Sequence, residues 1–509
     1  GLRLDGLFFD NSDLDTNNKI LALDYYDSKG GIRNIDTGKW PNSSLTVSPR
    51  IGFSWDILKD KSLTLRGGTG LFSGRLPLVF FTNMPTNSGM VQNIVAISTT
   101  YKDGVAIPDD YLQYFKGDMI TDINEMVKKL NSIDPVKYPL TITPEDGVGP
   151  KQVQAVDPKF RMPQVWKTSL AIDYAFPTSF PFSISVEGIF NKTVNAVCLS
   201  NWNIMDNAGW ARFNGADNRH IYPDNHKYSK TDAYVLTNTH KGYGYTGNVT
   251  LNMSPMEGLN LTASYTHTVS KELTGMPGSN AESAYTYIPT VDGPNFAGLH
   301  NSEYVTPDRA FASLTYSDPC NNHFSIFYEA WRGGSNYSYM YDGDLNGDNY
   351  NYDVMYIPTD AEITNGDYRF ATADDRDRYM AYAAQDKYLS SHKGQYAEAY
   401  SVYSPWVHRI DLRYARDIKV KIGNSVNTLQ FNVDLKNALN LFNSAWGVSK
   451  YMNPALKSGR ILSLDHVDGD GVPVFKTNAN VKPGVETWHL SHGVGQCWYL
   501  QVGIKYMFN

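Results

Sequence analysis

Six residues with oxygen donors or turn-forming backbone fall at the spacing of a calcium loop: Asp342, Asp344, Asn346, Gly347, Asp348 and Asp353. Counted from Asp342, they occupy positions 1, 3, 5, 6, 7 and 12 of an EF-hand-type loop. A hard divalent cation wants clustered oxygens, and the glycine permits the sharp turn between them. Two features depart from the pattern. Position 12 is Asp, whose side chain reaches less far than the usual Glu, and no helical pattern flanks the segment. The competing expectation is a solvated acidic hairpin tip, since Asp-Gly and Asn-Gly form turns without a metal. Ca²⁺ held in an extracellular loop by Asp342, Asp344, Asn346, Asp348 and Asp353 is therefore one expectation. No cofactor is otherwise required.

The same segment is dense in tyrosine: Tyr337, Tyr339, Tyr341, Tyr350, Tyr352 and Tyr356. A tyrosine offers a flat apolar face and a hydroxyl, which suits a sugar or peptide ligand. It suits loop-on-loop packing in a lid equally well. A second acidic turn, Asp465, Asp468 and Asp470, lacks metal-loop spacing and reads as a hairpin turn. His489 and His492, and His220 and His226, are expected to be surface histidines unless a third ligand converges on them. The chain has no HExxH, GxSxG, P-loop or CxxC frame, so no catalytic set is expected. Its three cysteines are widely spaced and make neither a disulfide framework nor a zinc site.

The elements that carry these residues are strands. In the last twelve residues Trp498, Leu500, Val502, Ile504, Tyr506 and Phe508 share one face, and Gln501, Gly503 and Lys505 share the other. Twelve segments alternate in this way. Their apolar faces include Ile51, Phe53 and Trp55; Leu170, Ile172 and Tyr174; Val249, Leu251 and Met253; and Leu429, Phe431 and Val433. The opposite faces are polar or charged and include Arg3, Arg50, Arg66, Lys167, Asp173, Glu187, Arg409, Asp411, Arg413, Asp434 and Lys436. These charges either line a transport path against a plug or simply hydrate a polar interior and pair across strands.

The 509 residues contain no apolar run of the ~18 residues a membrane helix needs. That says nothing against a barrel, whose strands dilute each apolar face with a polar one. Aromatics make up 13% of the chain, which suits interfacial girdles. A net charge of −7 without a Lys/Arg run excludes a nucleic-acid partner.

Alternation alone does not separate a membrane wall from a soluble sandwich. The connections do. Five are short, at about 57–62, 176–180, 253–259, 317–323 and 418–427. They alternate with six long ones, at about 10–44, 73–162, 199–240, 271–307, 338–404 and 438–495. Short turns on one rim and long loops on the other are the pattern of outer-membrane barrels, with the long loops outside. The 73–162 connection also carries Met119, Ile120, Ile123, Met126, Val127 and Leu130 at the spacing of a short amphipathic helix. The expected fold is all-β, a transmembrane antiparallel β-barrel. Bare strand edges are costly in lipid, so either the twelve strands close on themselves or more wall lies outside the chain.

Several stretches, VSPRIGFSWDI (47–57), SLTLRGGTGLFSGRLP (62–77), QVWKTSLAIDYAFP (164–177), DGDLNGDNYNYDVMYIP (342–358), PWVHRIDLRYARDI (405–418) and LKNALNLFNSAWG (435–447), resemble TonB-dependent outer-membrane receptors. The likeness is to the Oar-like group of Bacteroidota, related to the SusC/RagA importers. It implies that residues 1–509 are the C-terminal part of a receptor barrel, with about 12 strands of a probable 22 present and the plug and N-terminal domains absent from this chain. It also implies TonB-driven uptake of a large or scarce nutrient such as a peptide, glycan or chelate, captured by the long loops. The implied partners are outer-membrane lipid, the TonB complex and a surface lipoprotein. The alternative is a structural or adhesive barrel, or a partner subunit of a surface or secretion complex.

Overall fold

The computed structural model describes residues 1–508 except 13, 28–30, 92–98, 103–104, 109–119, 137, 141–142, 146, 148 and 424. Met119 of the expected helix therefore lies outside the described residues. Ile120 precedes the helix, and Ile123, Met126, Val127 and Leu130 lie on helix α1 (Ile123–Ile133), capped by Asp122, whose carboxylate accepts from the amides of Asn124 and Glu125.

Twelve strands make a continuous antiparallel wall: β1 (Leu2–Leu7), β2 (Ser44–Asp56), β3 (Leu63–Ser73), β4 (Gln164–Ala175), β5 (Phe182–Asn201) and β6 (Tyr243–Met256), then β7 (Leu259–Glu272), β8 (Asp308–Ser317), β9 (Asn322–Arg332), β10 (Val407–Ile422), β11 (Ser425–Lys436) and β12 (Tyr499–Met507). Each pairs with its neighbours in sequence order. Registers set apolar residues opposite apolar ones, as with Val186 and Val249, Val249 and Tyr265, and Val433 and Val502. That follows from the period of two, because a slip of one residue would turn each apolar face inward.

The apolar face is bare. Ile51 is 73% exposed and Val502 68%, values that a sandwich core would not allow. The short turns sit on one rim. One two-residue turn joins β6 to β7 through Gly258, whose φ of +79° suits glycine. A Cβ there would also lie 2.1 Å from the Ser317 carbonyl oxygen.

One expectation is overturned. The wall does not close: β1 pairs only with β2, β12 pairs only with β11, and among the described residues no sheet is closed into a barrel. The observed element is an open, fifteen-stranded sheet, counting three short strands off the main path. Alternation reports which face a strand presents. It carries no information on the tilt and stagger that closure requires.

The long connections pack into a lid with its own core. One arm extends β5 upward through Asp232–Thr239, which pairs in parallel with Gln152–Val156. Another is a four-stranded sheet built from Met340–Tyr341, Arg460–Val467, Pro473–Thr477 and Arg369–Phe370. Helices α2 (Ala373–Gln385) and α3 (Lys387–Ser391) follow, capped by Thr372 and Asp386.

Candidate functional site

The candidate site lies in the lid, where the turn between Tyr341 and Val354 folds back on itself. The Tyr341 amide donates to the Asp353 carbonyl at 2.9 Å, closing the turn at its base. Three of its residues, Gly343, Gly347 and Asn349, adopt positive φ. Side-chain oxygens hold the amides in between. Asp344 accepts from Gly347 and Asn349 at 2.8 Å each, and Asp348 accepts from Tyr350 at 2.7 Å. Asp353 accepts from Leu345 at 2.9 Å.

This winding brings Asp344, Asp348 and Asp353 together, with one carboxylate oxygen of each within 4.8 Å of the others. The acidic triad can therefore chelate a metal ion. Two details differ from the spacing argument. Asp342 points away and pairs with Lys457 at 2.6 Å, and the Asn346 carboxamide oxygen accepts from the Asp348 amide. The position at a solvated extracellular tip is also corrected, because Asp348 and Asp353 are buried at 7% and 2% exposure. The turn is covered by residues 219–222 and 290–293, which sequence spacing within the turn could not reveal. Burial, together with the neighbouring Asp353 charge, raises Asp348 above the usual carboxylate range. Burial likewise raises Asp353, although Arg219 pulls it back.

Arg219 is the residue the sequence did not single out. Its side chain is fully buried. It grips Asp217 through two bonds of 2.9 and 3.0 Å and donates to Asp353 at 3.1 Å. It also donates to the Val354 carbonyl at 2.6 Å. Its guanidinium lies over the rings of Tyr341 and Tyr396. Burial opposes its charge, but Asp217 and Asp353 outweigh that and hold it protonated. An arginine in a polar loop, 134 residues from its partner, leaves no local signal.

The six tyrosines hold the lid together. Tyr339, Tyr341 and Tyr356 are buried in its core. Tyr341 donates to Asp217 at 2.8 Å and stacks on Phe475, and Tyr339 bonds Tyr382 at 3.0 Å. Tyr356 donates to Glu362. The half-buried Tyr350, Tyr352 and Tyr337 pack on Tyr285, Tyr287 and Trp488.

The inward charges form ion pairs or cover aromatic rings. Arg66 bridges Asp173 at 2.7 Å and Glu187 at 3.4 Å. Arg413 pairs with Asp434 and Lys436 with Asp411. Arg50 and Lys167 both face the ring of Phe72, and Arg409 covers Trp331. Asp465, Asp468 and Asp470 sit at the expected hairpin turn, paired with Lys476 and Arg369. His489 and His492 are exposed as expected, whereas His226 is buried and His220 pairs with Asp292. Among the described residues no histidine joins a metal-ligating group.

A wall with a bare apolar outer face and a charged, internally paired inner face, roofed by long loops, defines a membrane-wall protein. The chain belongs to the outer membrane beta barrel domain family, whose match spans residues 7–463. It is a protein of the Gram-negative outer membrane. Among solved structures it is similar to the outer membrane transporter YddB from Escherichia coli, at 10% identity and a TM-score of 0.39, covering 92% of this chain and 41% of that one. It is also similar to BauA, the ferric preacinetobactin receptor from Acinetobacter baumannii, at 9% identity and 0.33, covering 92% and 37%. A third is a variant of the ferric enterobactin receptor PfeA from Pseudomonas aeruginosa, at 8% and 0.37, covering 91% and 40%. The chain thus spans about two fifths of the length of these proteins. They are too distant to pass any substrate to it. No curated protein matches the chain.

Proposed function

We propose that the chain is the C-terminal portion of a TonB-dependent uptake protein, an Oar-like relative of the SusC/RagA importers, that takes in a peptide, glycan or chelate. The observation that carries this reading is the pairing of a charged inner face with a thick, cored lid above it. An adhesive wall would need the lid alone. In this reading the plug and TonB-contacting segments lie outside the residues described, and the half-buried Tyr337, Tyr350 and Tyr352 offer the ligand-facing rings. A surface lipoprotein would dock on the long-loop side.

The acidic triad fits a calcium ion by its chemistry. Its donors are all hard carboxylate oxygens, and two of the three carboxylates are buried. Asp344, Asp348 and Asp353 would hold the ion and so tie the turn to the lid core.

The test is uptake in cells carrying the full-length gene. Wild-type cells, a deletion strain and a strain lacking TonB are given panels of peptides, glycans and iron chelates. The reading expects at least one solute whose uptake falls in both mutants. Equal uptake of every solute across the three strains contradicts it.

A further inference from the structure

A cleft of about 800 Å³ among the described residues is separate from the acidic turn. Its floor is the long-loop rim of the wall, where Arg332 ends β9 and Trp406 immediately precedes β10. Arg332 shares parity with Phe324 and Ile326, and Trp406 with Leu412, and these four hydrophobic residues are exposed on the apolar face. The register sets Trp331 opposite Val407, so Arg332 and Trp406 are neighbours on the outward side. The roof is the lid: Lys387 and Tyr388 of α3, then Lys450 and Trp488. The cleft therefore sits at the height where the lipid-facing surface meets the overhanging loops.

Its lining points to an anion. Among the described residues neither Lys387 nor Lys450 has an ion-pair partner. Arg332 pairs with Asp308 at 2.7 Å, but its Nε is buried and has no hydrogen-bond acceptor. Of the acids present, Asp386 is already spent on the amides of Tyr388 and Leu389 and the hydroxyl of Thr487. Glu486 is the remaining carboxylate, and His392 stacks on Tyr388. The rings of Trp406, Trp488, Tyr388 and Tyr403 supply flat apolar walls between these charges. Cations interleaved with aromatic faces suit a phosphorylated sugar, with phosphate on the cations and the sugar's C–H face on the rings.

We infer that this cleft binds the phosphorylated saccharide head of an outer-leaflet glycolipid, whose acyl chains continue down the apolar face below Trp406. The site's height selects a lipid over a free solute. A basic pocket just above a hydrocarbon-facing surface holds its ligand by charge while the tails stay in the bilayer.

The experiment uses the full chain purified from outer membranes in mild detergent. Tryptophan fluorescence is titrated with three probes: micelles of a phosphorylated disaccharide glycolipid, the same glycolipid dephosphorylated, and soluble glucosamine 1-phosphate. The proposal expects saturable quenching by the first and at least tenfold weaker binding of the other two. It expects at least a tenfold loss of affinity in Lys387→Glu/Lys450→Glu and retention in Lys387→Arg/Lys450→Arg. These lysines lie outside the core, so the lid folds in both variants, which unchanged protease resistance would show. Charge-reversed protein binding as tightly as wild type overturns the proposal, and so does equal binding of the dephosphorylated lipid. Soluble sugar phosphate binding as well as the lipid overturns the assignment to a membrane ligand.

Discussion

Replacing Arg219 with Ala tests whether the lid is held by its buried charge network. The substitution leaves Asp217 and Asp353 in the interior without their cation. Breaking a buried pair by removing one partner typically costs about 3–5 kcal/mol. Asp217 would keep the hydroxyls of Tyr341 at 2.8 Å and Tyr396 at 3.0 Å, which argues for the lower end. About 3 kcal/mol corresponds to a roughly 100-fold rise in the opening equilibrium of the lid. Hydrogen exchange at the amides of Tyr341 and Met355, which pair with the Asp353 and Tyr339 carbonyls, reads that opening directly. Adding Asp217→Leu to Arg219→Met should recover part of the loss, because the orphaned acid leaves with the base. Exchange within twofold of wild type in Arg219→Ala would refute the reasoning, and the lid would then be held by its aromatic core alone.

Other consequences follow from the same geometry. Calcium should slow lid exchange and raise the unfolding temperature, and Asp348→Asn should abolish both effects; identical melting in Ca²⁺ and chelator contradicts the metal assignment. Asp348 and Asp353 have raised folded-state values, so in chelator their contribution to stability is full below the ordinary carboxylate range. It is lost as pH rises through the raised values, and a melting series across that window should show the lid weakening upward. Gly347→Ala, at a φ of +86°, should cost about 1 kcal/mol and weaken any calcium response, read by the same melts. Leu251→Arg on the outward face should cost roughly 2–4 kcal/mol near mid-wall and reduce heat-resistant assembled protein on gels, whereas Thr250→Arg on the inner face should be tolerated.

The wall was legible because a strand's two faces repeat every second residue, so Val249, Leu251 and Met253 announce one solvent and Asn248, Thr250 and Asn252 the other. The sorting of connections was legible for the same reason, since turns and long loops interrupt that rhythm at alternate ends. The acidic turn was found from Asp and Gly spacing, but only Asp344, Asp348 and Asp353 converge. Asp342 was diverted by Lys457, a residue 115 positions away. Arg219 and the burial of the tyrosines were invisible for the same physical cause: loop-to-loop packing leaves no period. Closure was misjudged because a strand edge reveals nothing in its side chains about which strand it will meet.

The central claim is that the wall's two faces meet different solvents. It is tested most directly by nitroxide labels placed singly at residues 248 to 252 of β6 in the membrane-reconstituted protein, each measured for collision with oxygen and with a water-soluble nickel chelate. The account predicts strict alternation, with oxygen dominant at 249 and 251 and nickel dominant at 248, 250 and 252. Uniform nickel access along the strand, or alternation of the opposite phase, would contradict it.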